Sequence, residues 1–292
     1  MRIMKGGRVN GIRVLVIGGS GFVGRHLTNY FASQGTSQSG EPGFMKLDIR
    51  DPETTRKVLK QISPDLVINA SGLTSVDYCE SHIEEAISIN AHAVGMLADA
   101  AEECGARLCH ISTDYVFSGD RGNYSEDDET GPINAYGRSK LLGEEALKGR
   151  KCIIIRISTP YGINLSGKKT TFMDFVISSL RSGKRIRIVT DQFTTPTYTG
   201  DIPIAIERLF SLHKTGIYHL GSKECISRHS FAEILADVFS LDRGLIDQVK
   251  TSEMGFIAKR PLNSCMNVSK ISEIIEINEI RKNLEVILES MH

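Results

Sequence analysis

The sequence predicts an α/β protein, a doubly wound parallel sheet with a smaller, mainly helical C-terminal lobe, and three observations predict it. Short apolar runs alternate with helically patterned stretches from Ile12 to about Ser158, the rhythm of repeated βαβ units. Those runs are nearly continuous in apolar character, as strands are when helices cover both faces of the sheet. The first run ends in a glycine-rich turn that opens a helix, the arrangement with which Rossmann-type sheets receive a dinucleotide.

In chain order the strands read "IRVLVIG" (Ile12 to Gly18), "FMKLD" (Phe44 to Asp48), "DLVINAS" (Asp65 to Ser71), "RLCHIS" (Arg107 to Ser112) and "CIIIRIS" (Cys152 to Ser158). Between them, Gly21 to Ser33, Pro52 to Gln61, Glu84 to Cys104 and Asn134 to Leu147 carry apolar residues at helical spacing. "TSQSGEPG" (Thr36 to Gly43) reads as a polar surface loop. After Tyr161 the rhythm changes: a helix "TFMDFVISSLRSG", a strand "RIRIV", a Thr-rich loop "TDQFTTPTYTG", another helix, then "GIYHLG", with a mainly helical pattern from Ser227 onward. No linker or repeat interrupts the chain. Residues 1–160 are therefore expected to form the dinucleotide-binding domain with the catalytic residues, and 161–292 a smaller substrate-binding lobe interleaved with it.

Composition narrows the function. The 292 residues carry 35 Lys+Arg against 35 Asp+Glu, scattered in sign, which argues against a nucleic-acid binder with its clustered basic face. No apolar run approaches the roughly 20 residues of a spanning helix. The start "MRIMKGGRVNG" shows no apolar leader, so a soluble, cytoplasmic protein is expected. Six dispersed cysteines, with no C-x-x-C among them, read as buried free thiols. Trp is absent altogether.

The turn "GGSGFVG" places Gly18, Gly21 and Gly24 at regular spacing between strand and helix. The first permits the tight turn, the second lets backbone approach a pyrophosphate, and the third lets helix and strand pack closely. The helix start then offers N–H groups to the anion. Asp48, with Ile49, ends the next clear strand where a carboxylate can meet the adenosine half of a cofactor; its plainer role would be in the helix start before Pro52. Neither reading separates NADPH from NADH. The loop that would carry an Arg for a 2′-phosphate has none, and Arg25 is a nearby substitute.

Tyr136 and Lys140 in "NAYGRSKLLGEEAL" lie four residues apart and share a helix face. A Tyr hydroxyl near an ammonium is a proton donor matched to a carbonyl oxygen on its way to an alkoxide. Lys140 can also reach the nicotinamide ribose hydroxyls. On a surface helix this spacing is commonplace, but here it follows "HISTDYVF", whose Ser112 and Thr113 end a strand at the edge where doubly wound sheets bind ligands. A hydroxyl there can meet the same carbonyl oxygen, or simply satisfy a turn. His110, on an apolar strand, reads as a core histidine.

Together "GGSGFVG", "PDLVINASGLTSVDYCE", "HISTDYVFSGD", "PINAYGRSK", "DQFTTPTYTGDI" and "RPLNSCMNVSK" resemble the extended short-chain dehydrogenase/reductases, and within them the dTDP-4-dehydrorhamnose reductases. The resemblance implies Thr113, Tyr136 and Lys140 as catalytic residues. It implies cofactor contacts at Gly21, Phe22, Val23, Asp48, Ile49, Ala70 and Ser71, besides Tyr136 and Lys140, and a nucleotide-sugar substrate. The implied reaction is hydride transfer from NADPH or NADH to C4 of a 4-keto-6-deoxyhexose. Related dehydratases carry an Asp-Glu pair after the Thr; here Asp114 is followed by Tyr115, which suits simple reduction. Where the family has a substrate-contacting Trp this chain has Thr159, and where it has a Lys after "VD" this chain has Tyr78. Some members bind Mg²⁺ at a dimer interface; Arg25 offers no carboxylate there, and no metal is expected. A homodimer is a further expectation.

Two other readings stay open: a silent dinucleotide-binding subunit like the β subunit of methionine adenosyltransferase, and a reductase or epimerase of another nucleotide sugar. Arg260, before Pro261, is the candidate diphosphate contact, since such groups favour a bidentate guanidinium. The cluster Arg181, Lys184, Arg185 and Arg187 reads as a solvated basic turn in preference to a clamp.

Overall fold

Burial explains why the apolar runs lack polar alternation. In the computed structural model, which describes residues 8–9, 11–167 and 170–291, the central sheet comprises β1 (Ile12–Ile17), β2 (Gln34–Ser37), β3 (Met45–Lys46), β4 (Leu66–Asn69), β5 (Arg107–Thr113), β6 (Ile153–Ile157) and β7 (Gly216–Leu220). The strands run parallel in the order β7-β6-β5-β4-β1-β2-β3, and Arg8–Val9 pairs antiparallel with the start of β1. Alternate residues feed two cores. Val14, Val16, Ile68, Ile153 and Ile155 pack under α1 (Phe22–Tyr30) and the helix Asp201–Ser211. Leu15, Ile17, Val67, Leu108 and Ile154 pack under α2 (Pro52–Ile62) and α3 (Ala93–Glu103). Connectivity reverses direction between β1 and β4, and the crevice at their carboxyl ends is where open α/β sheets take ligands.

The helices follow their local signals. Asp51 caps α2, accepting the Thr54 N–H at 3.0 Å with Pro52 behind it, so Asp48 has no capping duty. The stretch expected as one helix from Glu84 to Cys104 is instead Ile83–Ile87, a π-turn at Ser88–His92 and α3. A further short helix, Val76–Ser81, had no clear pattern. The second strand also differs from expectation. It is Gln34–Ser37, whose last two residues fall in the supposed polar loop, and "FMKLD" shrinks to the edge pair Met45–Lys46. Its four residues carry no apolar alternation. Gly35, Thr36 and Ser37 are buried, with Gly35 against the Phe44 ring and Thr28, and Thr36 accepting a hydrogen bond from Gly18 N.

Met173, Val176, Leu180, Phe231, Leu235 and Leu284 pack into a separate core, while β7 adds the end strand of the central sheet and the helix Asp201–Ser211 covers one of its faces. Two small ladders interrupt its helices: Ile186–Val189 pairs with Ile246–Val249, and Phe193–Thr194 with Ile226–Ser227. Arg185 and Arg187 reach Asp247 and Glu253 on the surface, in keeping with a solvated turn. Among the described residues no helix is long and apolar enough to cross a membrane. Met1–Gly7, on which the reading of a missing leader largely rests, lies outside the described residues.

One cysteine expectation is overturned: Cys225 and Cys265 form a disulfide, and Cys79, Cys104, Cys109 and Cys152 remain thiols. The two are 40 residues apart and meet because the segment after Arg260 runs beside Phe193, Ser264 N donating to Phe193 O at 3.2 Å. Closing a loop of that length restricts the unfolded chain by about 4 kcal/mol in the entropic account. Reduction is therefore expected to lower Tm by several degrees; an unchanged melting curve in reductant would remove the stabilising role.

Candidate active site

The glycine turn is shaped by contact distances. Gly18 has φ +72°, and a Cβ there would come within 2.7 Å of the Ser71 backbone; a Cβ on Gly24 would come within 2.1 Å of Gly18 O. Gly21 starts α1 in extended geometry and no side chain caps it, leaving the first amides, from Phe22, Val23 and Gly24, available to an anion. They open on a cleft of about 350 Å³ lined by Gly18, Gly21, Asp48, Ile49, Ala70 and Ser71, among others. Uncapped amides, an apolar wall at Ile49 and a carboxylate at Asp48 fit the phosphate, adenine and ribose of a dinucleotide. Arg50 holds the Asp48 carboxyl down to about 2 through a forked contact, with distances of 2.5 and 3.0 Å. Arg25 stacks over Phe44 and faces Glu41 at 3.5 Å. Gly24→Ala is expected to weaken NADPH binding at least about tenfold, since the helix must retreat from the turn. Titration followed by nicotinamide fluorescence measures this directly in a chain without Trp; equal affinity would remove the role assigned to the turn.

The expected catalytic trio comes together at the end of β5. Tyr136 stands in the first turn of α4 (Ala135–Glu145), whose N-cap Asn134 accepts Gly137 N at 2.8 Å. A Cβ at Gly137 would sit 2.1 Å from Tyr115 O, so this glycine lets the helix start close against the turn Asp114–Val116. As a result Tyr136 stands beside Thr113, near enough for the Thr113 side chain to act on the Tyr136 hydroxyl. Burial pushes the Tyr136 hydroxyl well above its ordinary value, and the Thr113 contact works against that shift. One turn on, Lys140 Nζ donates to Ile111 O at 2.7 Å and lies 3.1 Å from His110 Nε2. Burial lowers the lysine to about 8, with Glu144 pulling the other way.

Ser112 is not brought to this group. Side chains alternate along a strand, and the Ser112 hydroxyl donates to Glu144 Oε1 at 2.5 Å. Glu144 also takes Arg156 at 2.6 Å through NH2 and 3.0 Å through Nε, both side chains under 5 % exposed. Arg156 then faces His219, which burial and the guanidinium together hold down to about 3. This buried network ties α4 to β5, β6 and β7.

Asp114 is the residue sequence reasoning undervalued. It is 3 % exposed, and its carboxylate accepts hydroxyls from Ser158 (2.6 Å), Ser264 (2.5 Å) and Thr113 (3.1 Å). Those bonds join the ends of β5 and β6 to the segment after Arg260. Burial raises the carboxyl and the three hydroxyls oppose it. Thr159 has φ +40°, an unusual backbone for a β-branched residue, and its hydroxyl lies 3.2 Å from that of Thr194. Arg260 pairs with Asp77 at 2.9 Å and lies over Phe256. Both Arg228 and Arg260 lie near enough to Tyr115 for their positive charges to oppose the upward push of burial on its hydroxyl. Nothing in "ISRHSF" marked Arg228 in the sequence.

The chain matches the RmlD substrate binding domain over residues 12–292.

This chain belongs to the RmlD substrate binding domain family.

As a family member it is similar to the dTDP-4-dehydrorhamnose reductase of Aggregatibacter actinomycetemcomitans, 33% identical over 282 residues that cover 91% of this chain and 94% of that protein. Its fold is that of the dTDP-4-dehydrorhamnose reductase from Bacillus anthracis solved with NADP, with TM-score 0.87 and 28% identity over 96% of this chain and 99% of that one. The methionine adenosyltransferase 2 subunit beta of Danio rerio is 28% identical over 274 residues, 89% of this chain and 84% of that protein. For this RmlD-family chain the sheet, the glycine turn and the trio sit on one continuous scaffold.

Proposed function

We propose that this chain is an NAD(P)H-dependent reductase that converts the 4-keto group of dTDP-4-dehydro-6-deoxy-L-mannose to the hydroxyl of dTDP-L-rhamnose. The observation that carries the reading is the Tyr136 hydroxyl against Thr113 at the carboxyl end of β5, with Lys140 one helical turn behind. A bound reduced nicotinamide supplies the hydride to C4. Tyr136 orients the keto oxygen as a hydrogen-bond donor and passes its proton to that oxygen as the C–H bond forms, while Thr113, whose hydroxyl donates to Asp114, lines the same side of the site. Burial keeps Tyr136 protonated, the form that a reduction consumes. Lys140, one helical turn from Tyr136, would be the residue to hold the nicotinamide ribose. Arg260 and Arg228 give the Tyr115 side of the site its positive charge, suited to a diphosphate.

A second reading has a specific observation behind it, the similarity to a regulatory beta subunit. Mixing purified protein with NADPH or NADH and the keto sugar nucleotide separates the two. Loss of reduced-nicotinamide absorbance supports the reductase; no turnover with either cofactor, together with stoichiometric recovery of a synthetase in pull-down, supports the regulatory subunit. A cytoplasmic location and a homodimer complete the proposal, and sedimentation at micromolar concentration checks the latter. A related expectation concerns Arg260: Arg260→Ala should raise KM for the sugar nucleotide at least about tenfold with little change in kcat, the pattern of a uniform binding contact. An unchanged KM would exclude it from the diphosphate site.

A further inference from the structure

The glycine turn fixes where the two halves of a dinucleotide lie. A pyrophosphate on the amides that follow Gly21 stands at the end of β1, and Thr113, Tyr136 and Lys140 place the reacting nicotinamide toward β4 and β5. The adenosine half then extends the other way, over β2 and β3. β2 is the direct neighbour of β1, so its end meets the ribose beside the pyrophosphate, while Asp48 and Ile49, which follow β3, lie farther out toward the base. That ribose carries either a free 2′-hydroxyl or a 2′-phosphate, and a group about 20 residues beyond the turn tells the two apart.

The group held at that position is a carboxylate. β2 ends at Ser37, and the chain turns so that Glu41 lies back against it: the Ser37 hydroxyl donates to Glu41 Oε1 at 3.0 Å, and the Ser39 hydroxyl to the same oxygen at 3.3 Å. Glu41 lines the cleft, its side chain 15 % exposed. The cations nearby are engaged elsewhere. Arg25 faces Glu41 Oε2 at 3.5 Å, lies over the Phe44 ring with its Nε buried, and is not among the residues that line the cleft. Arg50 is forked onto Asp48, and Lys46 lays its side-chain stem beside Gly40. Among the described residues that line the cleft the charged ones are Glu41, Asp48 and Glu85, all carboxylates.

We propose that Glu41 is the cofactor-specificity residue of this chain and that it makes NADH the preferred dinucleotide over NADPH. A carboxylate only accepts hydrogen bonds, which a 2′-hydroxyl can give and an ionised 2′-phosphate cannot. The phosphate also brings a charge of about −1.5 to −2 at pH 7 against a carboxylate that Ser37 and Ser39 hold in place. In a partly buried cleft such like charges repel more strongly than in open water. Arg25 is the counter-ion of Glu41 in this arrangement, in place of a clamp for the 2′-phosphate. NADPH still enters the cleft, more weakly, because the pyrophosphate and nicotinamide contacts are common to both dinucleotides.

The test is calorimetric titration of the full chain with NADH and with NADPH, in the absence of any sugar nucleotide. Wild type is expected to bind NADH at least about tenfold more tightly than NADPH, the scale of a like-charge contact in a partly screened cleft. Glu41→Gln keeps an oxygen for the Ser37 and Ser39 hydroxyls and removes the charge. It should raise NADPH affinity at least about tenfold and change NADH affinity less than about threefold. Glu41→Ala should move the ratio the same way, and the wild-type ratio needs no variant at all. NADPH binding as tightly as NADH to wild type, or an unchanged ratio in well-folded Glu41→Gln, overturns the proposal; binding of neither dinucleotide overturns it together with the reductase reading. The proposal rests on the cleft taking a dinucleotide, as the proposed function does, but the titrations contain no keto sugar. The expected ratio in a protein without turnover would sink the reductase reading and leave this one standing.

Discussion

Tyr136→Phe is expected to lower kcat at least about a hundredfold while KM for the sugar nucleotide changes little. The substitution removes one oxygen and keeps the ring, which meets Tyr115 edge-on at 5.8 Å, so the helix start and the Thr113 position should survive. What is lost is the proton for the new hydroxyl, and positioned proton transfer is worth roughly 10²–10⁴ in rate. Thr113 cannot replace it, because its hydroxyl donates to Asp114 and its proton has no better acid behind it. Steady-state kinetics with both cofactors measure the effect. A rate within a few-fold of wild type would take proton donation away from Tyr136. Unaltered NADPH affinity in the same variant would show that the loss lies in chemistry.

The second large effect concerns stability. Arg156→Leu leaves Glu144 buried with the Ser112 hydroxyl as its remaining strong partner, and breaking a buried pair from one side costs about 3–5 kcal/mol. At a few degrees per kcal/mol for a chain of this size, Tm should fall by roughly 6–15 °C. The double variant Glu144→Leu/Arg156→Leu removes both charges, and replacement of both partners by apolar groups is often neutral. It should recover most of the loss. If the double variant is as unstable as the single one, packing in place of uncompensated charge explains the cost.

The relation of sequence to structure differs from part to part for physical reasons. β1, β4, β5 and β6 are legible because each is buried on both faces over most of its length and therefore carries a run of apolar residues. β2 is not: Gln34–Ser37 is packed by Phe44, Thr28 and Gly18, residues outside the strand, and no alternation within it records them. The disulfide was misread for the same reason. The spacing of Cys225 and Cys265 says nothing until the segment around Ser264 is laid against Phe193. Within the site, the glycine turn and the trio were readable because strand ends and helix spacing place them. Ser112 and Thr113 were read together although neighbours on a strand face opposite ways, and only Thr113 meets Tyr136. The polar residues packed around the trio, Asn69, His110 and Asp114, look ordinary in the sequence, and their contacts follow from register and burial.

The central claim is hydride delivery to C4 of the keto sugar with the proton coming from Tyr136. Its most direct test uses NADPH carrying deuterium at the transferable C4 position of the nicotinamide, with dTDP-4-dehydro-6-deoxy-L-mannose as substrate. The account predicts dTDP-L-rhamnose with one deuterium bound to C4 of the sugar, formed at a hundredth of the rate or less by Tyr136→Phe. A product without deuterium at that carbon, or no product at all from well-folded protein that binds the dinucleotide, would contradict it.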